Sequence, residues 1–161
     1  MSVTQDIVVT YWRPRKVIAK LLSMGTREDR ALAILIAACT IIFIAQWPRL
    51  AREAHLTGQE LNPMLGGALM AWLFIAPLLA YTLAFITQIV ARLLGGKQSP
   101  YGARLALFWA MLASSPINLL YGLVGGFIGA GVALNAVGIV WLGLISWFWI
   151  AGFFQAGKAE V

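Results

Sequence analysis

Charge is what this sequence has least of. Only 11% of its 161 residues are charged, and between Arg104 and Lys158 there is no charged residue at all. Soluble domains carry about 25% charged and roughly 45–50% apolar residues. Here 61% of residues are hydrophobic and the mean hydropathy is +0.83. A soluble fold of this length leaves too much of its surface wet to hide that apolar content. Lipid is therefore the expected solvent. The one cysteine, Cys39, excludes an intramolecular disulfide and suits a small packing residue inside an apolar run.

Chemistry-bearing groups are scarce too. There is one histidine, and His55 with Glu53 and Glu60 is too loosely spaced to read as a metal site rather than a solvated loop. No nucleophile–base pair stands out, and the Gly95-Gly96-Lys97-Gln98-Ser99 stretch lacks the glycine spacing of a phosphate-binding loop. The expectation is a chain with no catalytic residues, no cofactor and no metal. Nucleic-acid binding needs a wet basic face with stacking aromatics, and no such surface is available. The first 30 residues mix polar and basic positions where a signal peptide needs a continuous apolar core. The first apolar run is thus expected to act as an uncleaved anchor.

What is present is a series of apolar runs separated by basic punctuation. Residues 14–24 place Val17, Ile18, Leu21 and Leu22 at helical spacing, with Arg15, Lys16 and Lys20 towards the other side. Tyr11, Trp12 and Arg13 precede them. Aromatics beside a basic amphipathic helix suit the headgroup layer, where Lys and Arg meet anionic lipid; a short helix packed on the protein is the alternative. Gly25 breaks this helix, and Thr26 with Asp29 resembles a capping box for the next. The first span is expected over residues 31–47, ended by Pro48, with a polar loop over 48–62. Asn62 and Pro63 read as a cap and first helical residue. A second span over 64–94 follows, bent at Pro77 and stopped by Gly95 and Gly96. The uncharged run after Arg104 accommodates spans over 101–122, bent at Pro116, and 133–154, with a tight or partly re-entrant connection over 124–132 and a short tail from Gln155 to Val161.

The sequence thus predicts an all-α fold. It is a single polytopic helical membrane domain over residues 1–161, with four or five transmembrane helices behind an interfacial segment, 1–29. With four spans, ten Lys/Arg flank one side and only Arg49 and Arg52 the other. That bias predicts both termini in the cytoplasm. The expected membrane-interface residues are Tyr11, Trp12, Arg13, Arg15, Lys16 and Lys20, facing anionic headgroups.

Inside the spans, Gly122, Gly125, Gly126 and Gly129 form overlapping small-xxx-small patterns that allow close helix approach, within one chain or between copies. Gln88, Asn118 and Asn135 are intramembrane polar residues, read either as structural glue or as the lining of a solute path. No charged side chain lies in the body of a predicted span, which disfavours ion-coupled transport.

Three stretches, RPRKVIAKLL, REDRALAILIAACTIIFIAQWP and LLGGKQSPYGARLALFWAMLASSP, together resemble the bacterial branch of the Yip family, the Ypt/Rab-interacting membrane proteins. The third is the most diagnostic, with its glycine pair, lysine, small-polar pair and downstream proline. The resemblance implies a helical membrane bundle with a cytoplasmic N-terminus. Eukaryotic relatives associate with small GTPases in vesicle traffic and usually have five spans; this chain is shorter and lacks their long N-terminal domain, so no GTPase role carries over. The expected function is a non-enzymatic, multi-pass protein of a bacterial cytoplasmic membrane, organising the membrane or binding membrane-protein partners or itself. The rivals are an accessory subunit of a respiratory, photosynthetic or transport complex, and a small-solute channel or transporter built around Pro77, Pro116, Asn118 and Asn135.

Overall fold

A computed structural model describes residues 2–159, and among these the regular structure is entirely helical. Two short helices, α1 (Val3–Trp12) and α2 (Pro14–Ser23), form an N-terminal hairpin. The long α3 (Glu28–Thr57) follows, then α4 (Leu61–Leu69), which runs through a π-helical turn (Met70–Ile75) into α5 (Ala76–Leu93). Helices α6 (Pro100–Ala113) and α7 (Ser115–Phe127) meet at a 42° bend, and α8 (Val132–Ala159) closes the bundle. Three helices are long and apolar enough to cross a membrane: Glu28–Thr57, Leu61–Leu93 and Val132–Ala159. The bent pair α6–α7 makes a fourth if counted as one span, and the described residues hold no candidate for a fifth. Residues 160 and 161 of the expected tail lie outside the described residues.

Several expected boundaries are wrong, each for a local reason. Pro48 does not end α3, which continues to Thr57 and stops at Gly58, whose φ of 70° is the left-handed cap that glycine adopts freely. A proline inside a helix costs about 3 kcal/mol. The segment beyond it is held by tertiary contact, with Gly126 against Pro48 and Gly125 against the Arg49 side chain. Thr26 and Asp29 form no capping box: Arg27 is the cap residue, and Asp29 accepts a 3.0 Å bond from the Arg27 guanidinium instead. Asn62 is not a cap either, because α4 starts at Leu61. Pro63 is tolerated in the first turn, where backbone N–H groups have no intrahelical partner anyway. Helix α7 continues to Phe127, so the connection to α8 is tight, as expected, but is only residues 128–131 rather than 124–132.

Of the two expected proline bends, the one near Pro116 is present at 42°, whereas at Pro77 the span from Leu61 to Leu93 stays continuous and changes only its helical form. The π turn widens the backbone just ahead of Pro77, whose ring otherwise presses on the carbonyl of Leu73. Pro116 sits in the first turn of α7, beyond the bend at Ser114. Gly95, at φ 84°, ends α5 as expected.

Helix α6 is the axis of the protein. Eleven of its 14 residues are buried, on every side of the helix. Helices α3, α5 and α8 surround it, and the N-terminal hairpin covers part of what remains. By contrast, α5 and α8 bury few side chains and expose Leu78, Leu79, Phe85, Ile139 and Leu142 outward. A helix apolar all round is either central or lipid-facing; this bundle contains both kinds.

Candidate functional site

The N-terminal hairpin is held by polar groups that composition does not advertise. In α1, the Asp6 carboxylate accepts both bonds of the Lys20 ammonium, at 2.7 and 2.8 Å. One turn on, the Thr10 hydroxyl donates to the Asp6 carbonyl at 2.7 Å and accepts from the Trp109 indole N–H at 2.9 Å. Tyr11 meets Phe148 edge-on at 5.1 Å between centroids, and burial pushes its phenol pKa above the usual value. The chain ahead of α2 is therefore helical and docked, which sequence reasoning missed.

This docking changes the reading of the interface set. Val17, Ile18 and Leu21 are buried, with Ile18 against Gly152 of α8 and beside Ala106 of α6. The apolar face of α2 is thus covered by protein and is not free to enter lipid, so the packed-helix alternative holds for that face. Trp12, Arg13, Arg15 and Lys16 are exposed together around the corner of the hairpin. Tyr11 and Lys20 turn inward.

The four glycines do close a helix pair, within the chain. Gly122 lies against the backbone of Ala45, Gly126 against Pro48, Gly125 against Arg49 and Gly129 against the Arg52 guanidinium. The partners advance in step, so α3 and α7 run parallel in close contact. Arg52 then donates to the carbonyls of Gly126 and Phe127, at 3.3 and 3.2 Å, capping the C-terminal end of α7. Arg49 bonds Gln46 at 3.1 Å. Neither arginine lies in a loop.

Of the intramembrane polar residues, Gln88 and Asn118 are buried, and the Asn118 Oδ1 has no hydrogen-bond partner among the described residues. Asn135 is exposed at the start of α8. The structure does not bring the two asparagines into one environment.

What the structure adds is a lateral cleft between α5 and α8, which face each other without close packing. Its middle part, ≈ 610 Å³, is bounded by Trp72 and Leu79 on one side and Trp141 and Ile145 on the other, with Leu107 and Met111 of α6 as floor. Its end part, ≈ 480 Å³, runs from Trp149 to Leu94, Gly96 and Gln98 beside the basic turn. Trp149 belongs to both. The indole N–H groups of Trp141 and Trp149 and the Gln98 Oε1 are buried without partners among the described residues. Trp141, Ile145 and Trp149 recur at i, i+4 and i+8, the one sequence signal for this wall. Comparisons with family models, curated proteins and solved structures gave no match.

Proposed function

We propose that this chain is a non-enzymatic, multi-pass protein of a bacterial cytoplasmic membrane, similar to the Yip-like type, that organises the bilayer or binds other membrane proteins within it. The observation that carries this reading is the solid centre. Helix α6 fills the axis where a solute path would run, and Asn118 and Asn135 do not converge on one. The free surfaces face sideways, along α5, α8 and the cleft between them. A protein of that shape acts in the plane of the membrane.

Charge supports a cytoplasmic N-terminus. The hairpin packs on α8 near Gly152, and Gly157 sits against Gln98, so the N-terminal hairpin, the last turns of α8 and the 95–99 turn share one end of the bundle. That end carries most of the Lys and Arg. At the other end, Arg49 and Arg52 are taken up by Gln46 and the end of α7.

Photoreactive residues placed at Leu78 and Phe85 on α5, in native membranes, test the reading. Discrete protein adducts from these positions are expected. Lipid adducts alone, at every position, would sink the partner-binding half of it and leave only the organisation of the bilayer. Trp47 and Trp147, each half exposed, favour a second reading in which the chain is an accessory subunit laid against larger helices. Co-migration with one large complex on native gels distinguishes that reading from the first.

A further inference from the structure

We propose that the cleft between α5 and α8 is a binding site for one phosphatidylglycerol-type anionic phospholipid. An acyl chain lies along the cleft, and the headgroup sits at the 95–99 turn. The inference rests on the membrane-spanning reading above and names the ligand of its lateral surface.

Size selects the occupant. The two parts of the cleft, ≈ 610 and ≈ 480 Å³, fall in the range of small-ligand sites, about 300–1,000 Å³. A 20-residue helix is about 30 Å long and 10–12 Å wide, roughly 2,400–3,400 Å³. A partner helix does not fit between α5 and α8. A long, thin, flexible chain does, and the walls it would touch are almost wholly apolar.

Charge then fixes the sign. Lys97 precedes Gln98 in the chain, Lys158 follows Gly157, which packs against Gln98, and Arg92 follows Ala91; all three side chains are exposed at this end of the bundle. None of these three cations forms an ion pair among the described residues. The carboxylates described at this end are already engaged, Asp6 by Lys20, Glu28 by Arg104 and Asp29 by Arg27. Basic pockets between membrane helices on the cytoplasmic side select anionic headgroups.

Tryptophan quenching by brominated lipid tests the site. The full chain with Trp12→Phe, Trp47→Phe and Trp147→Phe loses its exposed indoles and keeps those in the cleft walls and the buried Trp109. It is reconstituted into phosphatidylcholine vesicles with rising fractions of acyl-brominated phosphatidylglycerol or acyl-brominated phosphatidylcholine. Half-maximal quenching by the anionic lipid is expected at a mole fraction on the order of fivefold lower. Lys97→Gln with Lys158→Gln should bring the two curves together, and Ala91→Phe, which fills the end of the cleft, should make quenching by both shallower. Superimposed curves in the parent chain would overturn the site while leaving the membrane reading intact. An unchanged preference in the double lysine variant would do the same. No quenching by either lipid would overturn the membrane reading and the site with it.

Discussion

Along the seam between α3 and α7, glycines bring two backbones together until Gly122 touches the main chain of Ala45. Between α5 and α8, Trp72, Trp141 and Trp149 stand in the walls of a gap that the helices do not close. Both regions are apolar, and both lie on helices of membrane-spanning length or on the bent pair. Side-chain size separates them. In lipid there is no hydrophobic drive for helices to associate, so close approach depends on dispersion contacts that small residues permit and large ones prevent. The seam is structural because it is tight, and the cleft is available because it is not.

Adding bulk to the seam should therefore produce the largest effect. A Cβ at position 122 collides with the Ala45 carbonyl, which is main chain and cannot swing aside. Gly122→Val should cost about 3 kcal/mol, the upper end of the overpacking range, read as a lowered unfolding temperature in mild detergent. An unchanged midpoint would mean that α3 and α7 do not meet at this point.

The N-terminal hairpin offers a second kind of contact, polar where the seam is apolar. Thr10→Val removes the acceptor of the buried Trp109 N–H and should cost about 2 kcal/mol. Adding Trp109→Phe removes the orphaned donor as well, so the double variant should lose less than the sum of the two single losses. Strictly additive losses would show that the bond contributes nothing.

Smaller still is the arginine that closes the seam. Arg52→Gln deprives the last carbonyls of α7 of a cationic donor. The expected loss is about 1 kcal/mol, since the site is partly exposed. It should appear as faster amide exchange near Gly129 with little change at α6. Equal exchange in both forms would remove the capping role.

The contrast between seam and cleft also explains what could be read in advance. The uncharged run after Arg104, the glycine turn at 95–96 and the bend near Pro116 were legible because each acts within a few residues of itself. Pro48 misled because its helix is rescued by Gly125 and Gly126, far along the chain. Nothing close by in the sequence marks Thr10, because the indole that it bonds is 99 positions away. The glycine pattern announced a close packing, but nothing in it named α3 as the partner. The axial place of α6 was hidden by its likeness to α8: lipid and protein accept the same apolar side chains. A gap between helices leaves no residue pattern of its own, so only the Trp141, Ile145 and Trp149 stripe hinted at the cleft.

The mildest substitution is the sharpest test of the comparison, because it repeats in the cleft the operation that breaks the seam. Ala91 lines the end of the cleft, where the open volume is ≈ 480 Å³. A phenylalanine there enters an open space that Phe153 and Phe154 also line. Ala91→Phe should therefore change stability by less than about 0.5 kcal/mol, the range of substitutions that disturb no packed contact, although it adds far more bulk than Gly122→Val. Measured side by side in the same detergent, the two midpoints should rank opposite to the volumes added. If Ala91→Phe is the more damaging of the two, α5 and α8 are packed together and the distinction between seam and cleft is lost.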